Sequence, residues 1–400
     1  MKGRRTTDSE AQPAKRPKPS AAPNPSKWTQ VGGLLCANFD SEPGAKVIGF
    51  DMDSTLITTR SGKTFAVDSK DWKVLYTEIK PVLRRYQEDG YRFVMFTNQK
   101  GVQAGKSSVG EIEEKIAAVI GELGVPMAAL AAISDDEYRK PCPGMWTHYS
   151  THINPQAEIA QSVYVGDAAG RPAKGTRKKD FNDTDLKFAR NLEIAFKTPE
   201  EFFLNQSETV PEPEFNPKSI RSTGSVLKGA EDGAAVARDS QEVVLFVGSP
   251  ASGKSTFWKN HLPDYIRVNN DTLKTAEKCL KVMREALTSG KSCVIDNTNP
   301  TAEVRARYLS VAQELHIPAR CFLFRLPKEL AFHLDTLREV NKHRTHLSKR
   351  VGSMPIHTFF KKFEEPQVQE GFEEVREVEL VAGPFESEAD ERLFFSFVHS

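Results

Sequence analysis

The stretch Val47-Ile48-Gly49-Phe50-Asp51-Met52-Asp53-Ser54-Thr55 decides how this chain is read. Its opening apolar run has the pattern of a short buried strand, and the run gives way to a loop bearing two carboxylates two residues apart. Alternate residues of a strand share a face, so Asp51 and Asp53 are expected to point into one crevice at the carboxyl end of a sheet. Open α/β sheets bind their ligands there. Two carboxylates so close do not both stay ionised without a cation or a proton between them. That suits a site where one is a metal-bound nucleophile and the other carries a proton. An isolated Asp-x-Asp is more often a solvated turn, so the decision rests on what surrounds it.

Working outward, Phe93-Val94-Met95-Phe96 repeats the pattern and ends at Thr97-Asn98-Gln99, and Ser162-Val163-Tyr164-Val165-Gly166 ends at Asp167. Helical segments are expected from Trp72 to Asp89 and from Val109 to Leu123. Strands alternating with helices predict a mainly parallel sheet covered on both faces, with Asp51, Thr97 and Asp167 at the carboxyl ends of three strands. Arg139-Lys140-Pro141 forms a turn that puts a lysine on the same rim. A second α/β pattern runs through Val243–Val247, Ser292–Ile295 and Cys321–Phe324. The fold class is therefore α/β, with two doubly wound, mainly parallel sheets.

The chain has 400 residues, enough for two or three domains, each with its own core. Residues 1–27 are Pro-, Ser-, Lys- and Arg-rich and are read as a disordered basic tail. The first folded domain spans 28–205, a linker or extended strap spans 206–240, and the second domain spans 241–400. Hydrophobic content of 38% and charged content of 27% are those of a soluble globular protein. The formal net charge of +1 leaves nucleic-acid binding to local basic clusters. One such cluster, Arg171 through Asp180 with Lys174, Arg177, Lys178 and Lys179, directly follows Asp167. Five cysteines without metal-ligand spacing indicate reduced residues in an intracellular protein. No apolar run approaches a membrane span, so no membrane partner is expected. Lys15-Arg16-Pro17-Lys18-Pro19 in the tail reads either as a nuclear-import signal or as a solvated cluster.

Gly248-Ser249-Pro250-Ala251-Ser252-Gly253-Lys254-Ser255 follows a strand and precedes a helix, the context that confirms a P-loop. Gly248, Ser249, Ala251, Ser252, Gly253 and Thr256 belong to the backbone cradle for nucleotide phosphates. Lys254 reaches the β and γ positions, and Ser255 is a ligand for Mg²⁺. Asp271 follows the first helix of this domain, placed to take a proton from a hydroxyl, and Asp296 ends the next strand in a Walker-B-like position. The basic stretch Arg338 to Arg350, with Arg344, Lys349 and Arg350, reads as a lid over the phosphates.

In order, Asp51-x-Asp53, Thr97, Lys140 and Gly166-Asp167 resemble the haloacid dehalogenase superfamily of phosphotransferases. The resemblance implies that Asp51 attacks phosphorus to form an aspartyl-phosphate and that Asp53 acts as general acid and then base. It implies Mg²⁺ on Asp51, Asp167 and the backbone carbonyl of Asp53, with Thr97 and Lys140 on the phosphoryl oxygens. Residues 56 to 92 leave no room for a large lid domain, which suits a macromolecular substrate. Such a phosphatase followed by a P-loop kinase resembles the polynucleotide kinase 3'-phosphatase family of DNA end-processing enzymes over residues 28–400. The motifs that carry it include Phe96-Thr-Asn-Gln, Val165-Gly-Asp-Ala-Ala-Gly-Arg-Pro, Lys178-Lys-Asp-Phe and Ile295-Asp-Asn-Thr-Asn-Pro.

That resemblance implies removal of 3'-phosphates, ATP-dependent phosphorylation of 5'-hydroxyls, Asp271 as kinase base, and Asp296 assisting it or the metal. It further implies DNA ends as substrate, a repair ligase or scaffold as partner, a nuclear location and a monomer. RNA ends stay open as a substrate. Where some members carry an arginine before the base this chain has Asn270, and Lys274 is the candidate cation for the acceptor. The phosphopeptide-binding domain of vertebrate members is not expected in a 27-residue tail.

Overall fold

The apolar runs assemble into two main sheets in the computed structural model, which describes residues 27–175, 177–220, 226–228, 235–341 and 349–399. The first set of strands is β1 (Thr29–Val31), β2 (Leu34–Phe39), β3 (Val47–Phe50), β4 (Ile57–Thr58), β5 (Lys73–Val74), β6 (Arg92–Asn98), β7 (Met127–Ala132), β8 (Val163–Val165) and β9 (Ala195–Lys197). The second is β10 (Val243–Gly248), β11 (Ile266–Val268), β12 (Cys293–Ile295), β13 (Ala319–Phe324) and β14 (Glu374–Val378). The first sheet has the order β1-β2-β7-β6-β3-β8-β9, with β7 through β9 mutually parallel and the β1–β2 hairpin added antiparallel at one edge. The second, β11-β12-β10-β13-β14, is parallel throughout. β4 and β5 form a separate small hairpin.

Both sheets bury both faces, which explains why their strands read as continuous apolar runs. On one face of the first sheet, Ile48, Phe50, Phe93 and Met95 pack against helices Ile79–Glu88, Val109–Leu123 and Pro199–Leu204. On the other, Val47, Val94 and Phe96 meet Trp146, Tyr149, Phe188 and Leu192. Gly49 lies on that second face, where a Cβ would come within 2.9 Å of the Tyr164 ring and 3.2 Å of Phe96. In the second sheet, Val243, Leu245 and Val247 face helices Ala276–Thr288 and Ala302–Glu314, while Val244 and Phe246 face Phe257 of helix Lys254–His261.

One expectation about these elements is corrected. The helix foreseen from Trp72 begins only at Ile79, because Pro81 blocks helical continuation toward Thr77, and Lys73–Val74 pairs with Ile57–Thr58 instead. Met127–Ala132 is a fully buried strand although four of its six residues are alanine, a helix former; burial between β2 and β6 overrides propensity. The 206–240 stretch is a strap where it is described: Leu227 bridges Val378 beside the second sheet, and Val236 is buried.

The two halves meet through residues 388–399. Helix Glu388–Phe394 and the residues after it pack Leu393, Phe394 and Val398 with Leu337, Val340 and Cys142. Asn191 donates to the carbonyls of Pro141 (2.7 Å) and Phe397 (2.8 Å) and accepts from the Phe397 N–H (2.7 Å). Lys187 donates to the His399 carbonyl. All five cysteines are buried and free. No helix among the described residues is long and apolar enough to cross a membrane.

Candidate active sites

Phe50 lies level with Met95 of β6 and Val165 of β8, so the segments that follow these three strands emerge side by side. β3 ends at Phe50, and the Asp51 N–H donates to the Val165 carbonyl. The chain then curls over Met52, whose carbonyl accepts from Thr55, Leu56 and Ile57, with Ser54 at φ 64°. The strand has already ended here, so strand alternation does not set the directions of the two carboxylates, yet the Asp53 charge still acts on Asp51. Asp53 is half exposed, accepting from Lys115 at 2.8 Å and from Gln99 at 3.1 Å.

Asp51 turns inward. Lys140, itself buried, donates to Asp51 (2.8 Å), Asp185 (2.7 Å) and the Tyr164 hydroxyl (2.7 Å). Its backbone is fixed by reciprocal hydrogen bonds with the Asn98 side chain at the end of β6. Asp167 accepts from the Thr55 hydroxyl, and Asp185 accepts from the Ala168 N–H. Gly166 makes room for this, since a Cβ there would lie 2.5 Å from the Asp185 carboxyl. Thr97 is buried beside Gln99, which donates to its hydroxyl.

Each of Asp51, Asp167 and Asp185 offers a carboxylate oxygen within 4.8 Å of the others, a hard-oxygen set that fits a divalent cation such as Mg²⁺. Asp53 adds no carboxylate to this set. Burial, outweighing the attraction of Lys140 and helped by Asp185, raises Asp51 to about 7. Asp167 is pushed well above the ordinary carboxylate range by burial and by Asp51. Lys140 is raised: burial opposes its charge, but Asp185 and Asp51 together prevail.

The basic loop after Asp167 is only partly available to a ligand, because two of its five cations are tied to carboxylates. Arg171 is buried and spent on Asp180, Glu200 and the Asp167 carbonyl. Arg177 is tied to Asp180. Lys174, Lys178 and Lys179 remain exposed. Two phenylalanines stand out of the same rim, Phe65 at 74% and Phe181 at 88% exposure, edge to face with ring centroids 6.5 Å apart.

In the second half, β10 runs into the P-loop and helix Lys254–His261. Ala251 at φ 64° and Gly253 at φ 88° bend the loop back on itself, and Gly248 admits the close approach of Phe324 and Ser252. Lys254 is buried and donates to the carbonyls of Gly248 (2.9 Å) and Ser249 (2.6 Å) and to the Ser252 hydroxyl. Burial lowers it to about 8, with Asp296 opposing the shift, Arg338 adding to it and Asp271 opposing it. The charges of Asp296, Asp271 and Arg338 are thus all felt at this ammonium. Ser255 donates to Asp296 at 2.7 Å, and these two oxygens fit Mg²⁺. Thr256, the next residue of the helix, is exposed. Asp271 is exposed in the short helix Asn270–Leu273, and Lys274 is turned onto the Asp271 carbonyl.

Of the foreseen lid, Arg344 lies outside the described residues. Arg350 is engaged by Glu339 and Asp335, Lys349 is exposed, and among the described lid residues Arg338 acts electrostatically on Lys254. Asp185, Lys115, Tyr164 and Arg267 were not legible as site residues. No spacing rule ties Asp185 to Asp167, and Lys115 lies in mid-helix with an ordinary amphipathic pattern.

A family model described as polynucleotide kinase 3 phosphatase matches residues 46–203, and one described as an AAA domain matches residues 243–354. A bifunctional polynucleotide phosphatase/kinase of Schizosaccharomyces pombe is 39% identical over 361 residues, covering 88% of this chain and 84% of the relative. A putative bifunctional polynucleotide phosphatase/kinase of Acanthamoeba polyphaga mimivirus is 32% identical over 386 residues, covering 88% of this chain and 89% of the relative.

Proposed function

The chain belongs to the bifunctional polynucleotide phosphatase/kinase family, and from that premise we propose that it repairs DNA ends, removing 3'-phosphates through Asp51 and phosphorylating 5'-hydroxyls with ATP. The observation that carries the mechanism is the contact of Lys140 with Asp51 beside the gathered carboxylates of Asp167 and Asp185. A Asp51 carboxylate oxygen attacks phosphorus, an aspartyl-phosphate forms, and the bond to the 3' oxygen breaks as Asp53 supplies its proton. Asp53 then takes a proton from the water that hydrolyses the intermediate. Thr97 and Lys140 offset charge on the phosphoryl oxygens. Asp51 and Asp167, with Asp185 behind them, would hold a magnesium ion, which would supply positive charge against their mutual repulsion and polarisation of the phosphoryl group.

In the second half Lys254 holds the β and γ phosphates of ATP. Asp271 takes the proton from the 5'-hydroxyl, since Asp296 is turned toward Ser255 on the metal side. Phe65 and Phe181 suit stacking against the last bases of a strand, and Lys178 and Lys179 suit its backbone. The nucleus, with a repair ligase or scaffold as partner, is the setting this chemistry fits, and the basic tail that favours it lies outside the described residues.

Matched DNA and RNA oligonucleotides with 3'-phosphate or 5'-hydroxyl ends test the reading. DNA should be processed faster by both sites, and acid quenching should leave a hydroxylamine-labile phosphoryl group on the wild type and none on Asp51→Asn. Phe65→Ala/Phe181→Ala should weaken oligonucleotide use by about 1–3 kcal/mol per lost stack while sparing an aryl phosphate. Lys178→Ala/Lys179→Ala should flatten the slope of log affinity against log salt by about 1.4. Equal losses on the aryl phosphate would remove the nucleic-acid role of these side chains.

A further inference from the structure

The arginines that hold this fold together are deeply buried and grip carboxylates with two nitrogens. Arg305 takes both oxygens of Glu370, and Arg320 takes both oxygens of Glu242. Arg267 is different. Its side chain is 29% exposed, and it meets one oxygen of Asp296, through Nε at 2.8 Å and Nη2 at 2.5 Å. The same Nη2 donates to the Ser255 hydroxyl at 2.8 Å. The guanidinium lies over the Trp258 ring, 5.0 Å from its centroid, and that indole is fixed by its own N–H on the Tyr265 carbonyl. Arg267 thus stands on the two oxygens that suit a P-loop magnesium, held by contacts that are partly wet and replaceable.

We propose that Arg267 is a displaceable counter-ion of the kinase site, neutralising Asp296 until a magnesium–nucleotide takes over Ser255 and Asp296. This rests on reading the second half as a P-loop kinase. Two cations within reach of the same two oxygens repel, so the guanidinium and the metal compete. A metal-free nucleotide presents phosphate oxygens with no metal of its own, and Arg267 supplies positive charge beside them. Trp258 keeps the displaced guanidinium at the rim, where Asn270 carries no charge and Lys274 is already committed to a carbonyl.

The consequence is a crossover. Calorimetry with a non-hydrolysable ATP analogue should find Arg267→Met binding the magnesium form about two- to fivefold more tightly than wild type, the size expected of an ion pair with one partner partly exposed. The same variant should bind the analogue in EDTA more weakly, and Arg267→Lys should lie between. Trp258 gives a readout in the unaltered protein: magnesium–analogue binding should change an emission component that Trp258→Phe removes. Weaker or unchanged binding of both forms by Arg267→Met, or emission that does not respond, overturns the proposal. A folded wild type that binds no nucleotide overturns the kinase reading along with it.

Discussion

The two sites are charged in opposite senses. In the first half, carboxylates are crowded out of water, and Asp51 and Asp167 are pushed toward their neutral forms. In the second, a lysine is buried on backbone carbonyls and its ammonium is pushed toward the neutral amine. Each half thus holds unfavourable charge that a ligand of opposite sign relieves, a divalent cation in one and a polyphosphate in the other. Fold class alone does not distinguish them, since both are mainly parallel sheets with polar groups at strand ends. The sign of the buried charge does.

The sharpest break of this comparison comes from removing the reactive group on each side. Asp51→Asn should abolish phosphatase turnover, by roughly 10⁴–10⁶-fold as for other lost nucleophiles, and leave kinase turnover near wild type. A comparable kinase loss in the folded variant would deny that the sites work independently. Lys254→Ala should lower kinase turnover by about 10²–10³-fold and spare the phosphatase. Asp271→Asn should cost roughly 10²–10⁴-fold in kinase rate with nucleotide affinity retained; affinity lost in step would make Asp271 a ligand instead of the base.

Proton linkage sharpens the comparison further. Folded Asp51 keeps its proton up to about 7 against an ordinary 3.8, so between those values the folded state binds more protons and the first half loses stability as pH rises. Lys254 titrates near 8 against an ordinary 10.5, so across that window the unfolded state binds more protons and the second half gains stability as pH rises. The rise in melting temperature given by Mg²⁺ should therefore shrink from pH 7.5 toward 5, as the carboxylates take up protons. The rise given by nucleotide should shrink above pH 8, as the lysine loses its charge. Slopes of the same sign in calorimetry would collapse the distinction.

The smallest effect probes where the halves touch. Asn191→Ala leaves the Pro141 carbonyl and both backbone groups of Phe397 without their partner, at a cost of about 1–3 kcal/mol. Since Pro141 adjoins Lys140, phosphatase kcat should fall severalfold while KM for ATP in the kinase reaction stays unchanged. An unaltered phosphatase would show that the contact serves only to dock the halves.

Much of this was legible in the chain. Asp51, Thr97, Asp167 and the P-loop sit where apolar runs end, and such runs fix both strand position and strand end. Helix Val109–Leu123 was readable from its periodicity, and Ser108 and Glu111 close it with a capping box. The rest depends on distances along the chain that no local pattern encodes. Asp185 reaches Lys140 from 45 residues away, Lys115 reaches Asp53 from 62, and Arg267 reaches Asp296 from 29. Arg171 shows the complementary case: a basic loop looks solvated until Glu200, on the helix Pro199–Leu204, is brought against it.

The docking of residues 388–399 sets an order in time. The ribosome completes Lys140, Pro141 and Asn191 long before Phe397, which lies 206 residues beyond Asn191. Until that segment is made, the turn bearing Lys140 lacks its outer buttress and Cys142 lacks Leu393, Phe394 and Val398 as neighbours. Leu337 and Val340 of the second half wait for the same segment, so the two sites are completed together although the chain writes their residues far apart.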